Sequence, residues 1–352
     1  MNSRRLKKVA NSFVFNRHTT PKKLLNLGLI FVQHQFIKNS KVKGYPIRLV
    51  IEPTNFCNLG CPLCPAGKDN KEHERGMMKL DEFKEVIDEV GDYLYEIDMY
   101  NFGESLLNRH VYDMIEYASK KNIATNLSTN LNVGDAERIV TSGLSKLIVS
   151  ADGATNDVYK QYRVYGDFDN VLSRLKKVIA KKKELNMENP RIVWQFLTMK
   201  HNQHEVPKLL KLCKELGIEA DIKPIRLNTA IDHEVKQDKT VLKSKWLPKV
   251  EKLKRMSYRF SRPKRVGPNS CLFLWNQAVI NWDGIVTPCC AIFDSGKYKF
   301  GHVKEDGGFL KAWNSDTYQR SRRMVKHMDP EMEKDKRFDM CVGCIKHEFI
   351  DI

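Results

Sequence analysis

The sequence predicts an α/β protein with a parallel β-sheet, followed by a smaller C-terminal domain made of a β-hairpin and helices. Two patterns lead to this prediction. Between residues 47 and 228, short apolar runs alternate with longer stretches in which apolar residues recur at helical spacing, as in βα units. After residue 268, cysteines surround two short strand-like runs joined by Asp283-Gly284, a typical hairpin turn.

Six strands and five intervening helices are predicted in the first part. The strands are residues 47–52, 96–101, 124–128, 144–151, 191–199 and 219–225. The helices are residues 80–93, 108–121, 135–142, 168–187 and 203–216, and Gly143 and Gly217 lie where helix ends are expected. Crossovers between six parallel strands give an open, partial (β/α)6 barrel, whereas eight strands would close it.

The composition is that of a soluble globular protein with enough chain for two domains. The 352 residues are 41% apolar and 29% charged, and no signal peptide is recognisable. The nine cysteines are clustered rather than spread as a disulfide framework. Because metal clusters need thiolates, we expect a reducing, cytoplasmic location.

Residues 1–46 are predicted to form a basic N-terminal extension with one amphipathic helix. Residues 1–48 contain eleven Lys and Arg and no Asp or Glu, out of a net charge of +17. The apolar stretch within residues 22–38 is shorter than the ~20 residues that span a bilayer. Its basic flanks suit a weak, peripheral contact with anionic lipid headgroups; alternatively, the helix packs its Leu, Ile and Phe side chains against the main domain, which we favour. No specific nucleic-acid partner is expected, because the segment contains no recognisable module.

Three cysteines directly follow the first predicted strand. Cys57, Cys61 and Cys64 have the spacing C-x3-C-x2-C. Three thiolates this close together can hold one metal centre and leave a fourth position open, as in an iron–sulfur cluster with one free iron. A zinc knuckle or three core thiols are the alternatives; zinc needs a fourth ligand, and the nearest imidazole is His73 in a polar stretch.

This loop resembles that of the radical S-adenosylmethionine (SAM) enzymes, whose motif C-x3-C-x-Φ-C has an apolar residue before the last cysteine, here Leu63. The resemblance implies a [4Fe-4S] cluster whose open iron chelates S-adenosylmethionine. It further implies reductive cleavage to methionine and a 5′-deoxyadenosyl radical, which abstracts hydrogen from an unactivated carbon. An external one-electron donor such as flavodoxin or ferredoxin is the implied partner, together with an unknown substrate.

The resemblance also implies cofactor contacts at the carboxyl ends of the strands, where parallel α/β sheets bind their ligands. After the second strand, Gly103 and Glu104 match the family's Gly-Glu motif, which takes the amino group of the methionine moiety. Ser105 replaces the proline often found next in that motif. A plain turn is the alternative interpretation.

Polar residues at the next strand ends are expected to contact the nucleoside or the substrate. They are Ser128 and Asn130 after the third strand and Ser150 at the end of the fourth. Arg163 resembles an arginine that recurs after the fourth strand in the family, and it would pair with the carboxylate of the ligand. Local side-chain turns and an exposed helical arginine are the alternatives.

Residues 229–268 are predicted to be a basic connector, and residues 269–352 a second domain with five cysteines. A hairpin of residues 277–282 and 285–288 would bring Cys271 close to Cys289. The distant pair Cys341 and Cys344 would complete four thiolates, which suit either a closed iron–sulfur cluster or tetrahedral zinc.

The spacing C-x12-G-x4-C over Cys271, Gly284 and Cys289 resembles the auxiliary-cluster extension of radical SAM enzymes called SPASM, or its shorter form, Twitch. Full SPASM domains hold two clusters and more cysteines than this chain has. The resemblance therefore implies a Twitch-like domain with one auxiliary [4Fe-4S] cluster on Cys271, Cys289, Cys341 and Cys344. It covers residues 47–349 in all.

Two cysteines remain. Cys213 lies on the apolar face of a predicted helix and is expected to be buried and inert. Cys290 could be an alternative ligand, a packing residue or a hydrogen-atom donor to a substrate radical.

We expect a two-electron oxidation in which the auxiliary cluster relays an electron, acting on a small molecule or carbohydrate. The alternatives are an epimerase that uses Cys290 as hydrogen donor, and an enzyme that matures a ribosomal peptide or protein. A zinc-stabilised binding protein with a basic arm is a different class of alternative. The sequence selects neither the substrate nor the oligomeric state.

Overall fold

The computed structural model describes residues 17–35, 40–67, 74–225, 244–250 and 271–327, with Phe338 and Cys341. Nine strands lie in this part of the chain. They are β1 (Arg48–Ile51), β2 (Glu96–Asp98), β3 (Ala124–Thr129), β4 (Lys146–Ser150), β5 (Arg191–Thr198), β6 (Glu219–Pro224), β7 (Gln277–Ile280), β8 (Ile285–Thr287) and β9 (Gly301–His302). All belong to one sheet, in the order β6-β5-β4-β3-β2-β1-β7-β8-β9.

The described helices cover the sheet and connect its strands. They are α1 (Pro21–Gln35), α2 (Leu80–Val90), α3 (Val111–Lys120), α4 (Ala136–Thr141), α5 (Asn156–Tyr159), α6 (Phe168–Glu184), α7 (Val206–Leu216), α8 (Phe273–Asn276), α9 (Phe309–Trp313) and α10 (Asp316–His327). None of them is long and apolar enough to cross a bilayer.

The predicted α/β class and partial barrel are confirmed. Strands β1 to β6 pair in parallel and each falls at its predicted place. Strand β2 is shorter than predicted, because the chain bends at residues 101–103. Gly103 then has a φ of +82°, a left-handed conformation that ends extended structure.

The predicted hairpin is confirmed, and it extends the barrel. Strands β7 and β8 are antiparallel. Strand β7 also pairs in parallel with β1, with Arg48 opposite Gln277 and Ile51 opposite Ile280. The sheet of the smaller domain is thus continuous with that of the barrel. This pairing was not predicted from the sequence, because it joins segments far apart in the chain.

Alternation along the strands separates a core face from a lumen face. Leu49, Ile97 and Leu127 are fully buried in an apolar core under the helices, which runs on into the second domain. Cys213 on α7 is buried in this core, as predicted. The intervening residues of the strands, such as Arg48 and Asp98, point to the other face and pair with one another. The concave side of the barrel is therefore polar.

The N-terminal helix forms within the predicted stretch, but its packing is only partly as we favoured. Of its apolar residues, Leu27 and Ile30 pack against the core. The rest of its inner side is polar and includes the buried Lys23 and Gln33, whereas Leu25 on the outer side is 76% exposed.

Little of the predicted basic connector can be described. Within residues 229–268 the structure describes residues 244–250 alone. There Trp246 packs with Tyr162 and Met199 in a small apolar cluster. This part of the connector therefore contacts the barrel near the loop that follows β1.

Candidate active site

The cysteine loop, residues 57–64, is compact and follows the carboxyl end of β1. The amide of Gly60 donates to the carbonyl of Val164 at 2.9 Å, and that of Cys64 donates to the carbonyl of Cys61 at 3.1 Å. A Cβ atom on Gly67 would lie 2.6 Å from the backbone nitrogen of Cys61, so a side chain does not fit there. Backbone contacts thus shape the loop and hold its cysteines in place.

The three thiols of this loop lie near one another. Burial raises the pKa of Cys57 to about 12, and the neighbouring Cys64 and Cys61 act in the same direction. Burial also raises the pKa of Cys61, to about 11. Such thiols stay protonated at neutral pH unless a bound metal draws off the proton.

The donor set fits an iron–sulfur cluster better than a single ion. Among the described residues, no three His, Cys, Asp or Glu side chains converge closely enough to hold one metal ion. A cluster does not need that convergence, because each thiolate binds a different iron. Cys57, Cys61 and Cys64 therefore fit a [4Fe-4S] cluster with one iron left open.

The predicted Gly-Glu pair supports the cysteine loop. A Cβ atom on Gly103 would lie 2.4 Å from the carbonyl oxygen of Thr54. The buried carboxylate of Glu104 accepts hydrogen bonds from the amides of Asn130 at 2.7 Å and Leu106 at 3.1 Å, and also bonds the side chain of Thr129. Two carboxylate oxygens can accept about four hydrogen bonds, so these three leave capacity for a ligand.

The other predicted residues also meet at this edge of the sheet. Ser128 and Ser150, at the ends of β3 and β4, are joined by a 3.0 Å hydrogen bond between their hydroxyls. The side-chain amide of Asn130 donates to Asn58 of the cysteine loop at 2.9 Å. Strand ends that lie apart in the sequence are thus brought together around the cysteines.

Arg163 lies beside the cysteine loop. Its Nε donates to Asp152 at 2.7 Å, and its Nη1 lies 3.9 Å from the Sγ of Cys61. Its side chain is only 14% exposed, so the alternative of an exposed helical arginine is wrong. Burial opposes its charge, yet Asp152 and Cys61 raise the pKa of Arg163 above its ordinary value.

Two cysteines of the second set lie near Tyr318. Cys289 and Cys341 both influence the phenol of Tyr318, and Cys271 lies at the start of α8, where its thiol meets the backbone N–H groups of residues 273 and 274. Cys344 lies outside the described residues. The side chains present fit the four-thiolate site expected for an auxiliary cluster.

Arg322 is a buried cation next to Tyr318. Its guanidinium is fully buried over the ring of Tyr318, 5.0 Å from the ring centre, and it pairs with no carboxylate in the described parts of the chain. Burial lowers the pKa of Arg322 to about 9. Its Nε and Nη2 donate to the backbone carbonyls of Leu274 and Trp313, each at 2.8 Å, so hydrogen bonds to the backbone satisfy this buried cation.

Cys290 has different neighbours from Cys289. Its thiol lies close enough to Tyr100, beyond the end of β2, to influence the phenol. Three residues on, Phe293 packs edge-on against Phe102, with ring centres 4.9 Å apart. The chain after β8 thus packs against the chain after β2, with Cys290 near Tyr100 and Cys289 near Tyr318.

The polar network of the lumen was not predicted from the sequence. Arg48 pairs with Asp98 and lies 3.3 Å from Glu96, and Asn126 donates to Asp98 at 2.8 Å. The available signal was the alternation of charged and apolar residues within the predicted strands.

Glu52 is a second residue that sequence reasoning missed. Its buried carboxylate accepts a 3.0 Å hydrogen bond from the amide of Phe102 and another from the amide of Trp282. It thereby joins β1, the chain after β2 and the β7–β8 turn. A charged residue at the end of an apolar strand was the signal.

Two family models match the chain. The model described as "Radical SAM superfamily" matches residues 51–213, and the SPASM model, described as "Iron-sulfur cluster-binding domain", matches residues 271–345. The first range contains the three cysteines of the loop after β1, and the second contains the four cysteines expected for the auxiliary cluster.

Individual relatives are distant. A "tungsten-containing aldehyde ferredoxin oxidoreductase cofactor-modifying protein" of Pyrococcus furiosus is 25% identical over 308 residues, 79% of this chain and 84% of that protein. A GTP 3',8-cyclase of Clostridium botulinum is 25% identical over 319 residues, 84% and 96% of the two chains. The structure of Streptococcus suis SuiB bound to precursor peptide SuiA superimposes with a TM-score of 0.61 at 14% identity, covering 88% of this chain and 74% of that one.

Proposed function

Because the chain belongs to the radical SAM superfamily and carries a SPASM iron–sulfur cluster-binding domain, we propose that it catalyses a two-electron oxidation of a small polar molecule or carbohydrate. Its cofactors are S-adenosylmethionine and [4Fe-4S] clusters. The alternative of a zinc-stabilised binding protein is set aside by these matches. A one-electron donor such as flavodoxin or ferredoxin is the proposed partner.

One observation carries the proposal. The loop with Cys57, Cys61 and Cys64 follows the carboxyl end of β1, in a sheet whose polar face carries hydrogen-bonding groups such as Asn126 and Asp98. When bound, the cofactors supply a 5′-deoxyadenosyl radical that removes a hydrogen atom and an auxiliary cluster that accepts an electron. We assign the first cluster to these three cysteines and the auxiliary cluster to Cys271, Cys289, Cys341 and Cys344.

Residues around the loop would orient the methionine moiety of S-adenosylmethionine. Glu104, fixed by two backbone N–H groups, presents its remaining hydrogen-bonding capacity to an ammonium group. Arg163, anchored through Nε on Asp152, keeps its terminal nitrogens for a carboxylate. Ser128, Ser150 and Asn130 offer hydroxyl and amide groups to the nucleoside or the substrate.

Two features support a small polar substrate. The lumen offers both signs of charge and amides on neighbouring strands, in Arg48, Asp98 and Asn126, which would hydrogen-bond the hydroxyl or amino groups of such a molecule. Two relatives that match over most of this chain are named for small molecules, a cofactor and GTP. Maturation of a peptide remains the competing substrate class.

A second candidate function is epimerisation, favoured by the position of Cys290. Its thiol lies near Tyr100 on the lumen side, where a substrate radical would form. Hydrogen transfer from this thiol would restore a C–H bond with inverted configuration and leave a thiyl radical, which needs one electron and one proton to return. Because Cys289 already satisfies the ligand spacing and packing is the commoner role of such a thiol, we favour oxidation.

The test measures 5′-deoxyadenosine and product mass. Anaerobically purified, dithionite-reduced protein is incubated with S-adenosylmethionine and either an amino-sugar panel or a peptide panel in deuterated water. Oxidation predicts substrate-stimulated 5′-deoxyadenosine release and a product lacking two hydrogens, unchanged in Cys290→Ala. A product of unaltered oxidation state that carries one solvent deuterium, and that disappears in Cys290→Ala, would overturn oxidation in favour of epimerisation.

A further inference from the structure

Helix α1 is held to the protein largely by polar side chains on its inner side. Asn26 forms a reciprocal pair with the backbone of Tyr45, donating to its carbonyl at 2.9 Å and accepting from its amide at 2.8 Å. The Oε1 of Gln33 accepts from the amide of Gly44 at 2.9 Å. Lys23, which is 1% exposed, donates to the backbone carbonyl of residue 122 at 2.8 Å. These bonds fix which side of the helix faces outward.

The outward side carries large apolar side chains. Leu24, Leu25 and Val32 are 37%, 76% and 43% exposed. With Gly28 between them, their spacing places them on one stripe of an α-helix, opposite the buried residues. A helix at the surface of a soluble domain normally has polar side chains there, so this exposed stripe marks an interaction surface.

The positive charge of the N-terminal segment favours an anionic partner for this stripe. Residues 1–48 contain eleven basic residues and no acidic one, and Arg17, Lys41 and Lys43 are exposed next to α1 in the described part. A second copy of the chain would bring two such basic segments together, which repulsion disfavours. An anionic surface with an apolar layer beneath it complements both features.

We propose that the exposed stripe of α1 binds the surface of a bilayer containing anionic phospholipids. At 15 residues, the helix is about 22 Å long and would lie in the plane of the interface, with its leucines at the boundary between headgroups and acyl chains. The polar bonds on its inner side stay intact, so binding needs no rearrangement of the protein. This membrane contact is independent of the proposed oxidation.

Vesicle flotation with the full-length protein provides the test. Wild-type protein is expected to float with phosphatidylcholine vesicles that contain about 30% phosphatidylserine and not with pure phosphatidylcholine. Raising the salt from about 0.1 M to about 1 M shortens the Debye length from about 10 Å to about 3 Å and should release it. If the wild-type protein does not float, or binds equally well to neutral vesicles, the proposal is wrong. This result requires no variant.

The apolar contribution is tested by Leu25→Asp combined with Val32→Asp. Both side chains face outward, so circular dichroism and iron content should match the wild type while binding to anionic vesicles falls at least about tenfold. Leu210→Asp, at a 48% exposed leucine on α7, is the matched control and should bind normally. Unchanged binding of the double variant would refute the proposal. So would a wild-type dimer in sedimentation that the double variant abolishes, because the stripe would then bind a second copy.

Discussion

At the scale of single residues, the buried carboxylate of Glu52 makes the stability of the protein depend on pH. The carboxylate is 3% exposed, and burial raises its pKa from 4.5 to about 7, against the opposing effect of hydrogen bonds from Phe102 and Trp282. The negative charge of Asp283 raises it further. Because the folded state holds the proton more tightly than the unfolded state, this group makes the protein less stable as pH rises from about 4.5 to about 7.

We therefore predict that Glu52→Gln reduces the loss of stability between pH 5 and pH 8. The shift in pKa corresponds to about 3 kcal/mol. Between pH 5 and pH 8, the free energy of unfolding of the wild type should therefore fall further than that of the variant, by an amount of that order. Urea denaturation at both pH values measures the difference. Glu215→Gln, at an exposed carboxylate on α7, is the control, and an identical pH dependence of wild type and Glu52→Gln would contradict the prediction.

Single residues also show how far the sequence alone could predict the site. The spacing of Cys57, Cys61 and Cys64 carried a strong local signal, and the position of Gly103 and Glu104 after a strand carried a weaker one. Arg163 was ambiguous, because its burial depends on Asp152, eleven residues away, and on the cysteine loop above it. Charge pairs across strands, such as Arg48 with Asp98, need the register of the sheet before they can be recognised.

At the scale of elements, the chain after β2 packs so closely against the segment that leads into the cysteine loop that position 103 has no room for a side chain. Gly103 lies in a left-handed conformation, with the carbonyl oxygens of Thr54 and Phe56 closer than any Cβ atom tolerates. Gly217, at the end of α7, has a similar φ of +66°, but a Cβ atom added there would meet nothing described within 4 Å. A comparison of alanine substitutions at the two glycines therefore distinguishes the cost of a left-handed backbone from the cost of a steric clash.

We predict that Gly103→Ala disrupts the first cluster and Gly217→Ala does not. A left-handed alanine costs both variants about 1–2 kcal/mol, but only Gly103→Ala must also displace the loop that carries Cys57. Iron analysis after anaerobic reconstitution should show roughly half the iron in Gly103→Ala and full iron in Gly217→Ala. Equal iron in the two variants would mean that the loop adapts.

Most elements were predictable because local pattern suffices for them. Strands β1 to β6 were recognisable from apolar runs between helical stretches, and the hairpin from its Asp-Gly turn. The pairing of β7 with β1 was not recognisable from the sequence, because it depends on contact between distant segments. The packing of α1 was predicted only in part, because its apolar residues suggested a wholly apolar inner side. Its polar side chains instead bind backbone groups of residues 43–45 and 122.

At the scale of the whole molecule, the two cysteine sets belong to one sheet but pack differently. Links beyond the β1–β7 pairing hold the halves together: the carboxylate of Glu89 accepts from the amides of residues 309 and 310 at 2.7 and 2.9 Å. Cys57 and Cys64 pack against a small separate cluster of apolar residues. Cys271 and Cys341, by contrast, pack against the main core. Loss of a ligand should therefore have unequal consequences at the two sites.

We predict that replacing Cys57, Cys61 and Cys64 together by Ala abolishes cleavage of S-adenosylmethionine and leaves about half the iron, with little change in the thermal unfolding of the protein. The reason is that these thiols lie in a loop apart from the main core and from the second ligand set. Cys271→Ala combined with Cys341→Ala should also lose about half the iron. It should lower the unfolding temperature as well, because Cys271 and Cys341 pack against the main core and their truncation opens it. Loss of all iron in the first variant would show that the second site depends on the first and would contradict this division.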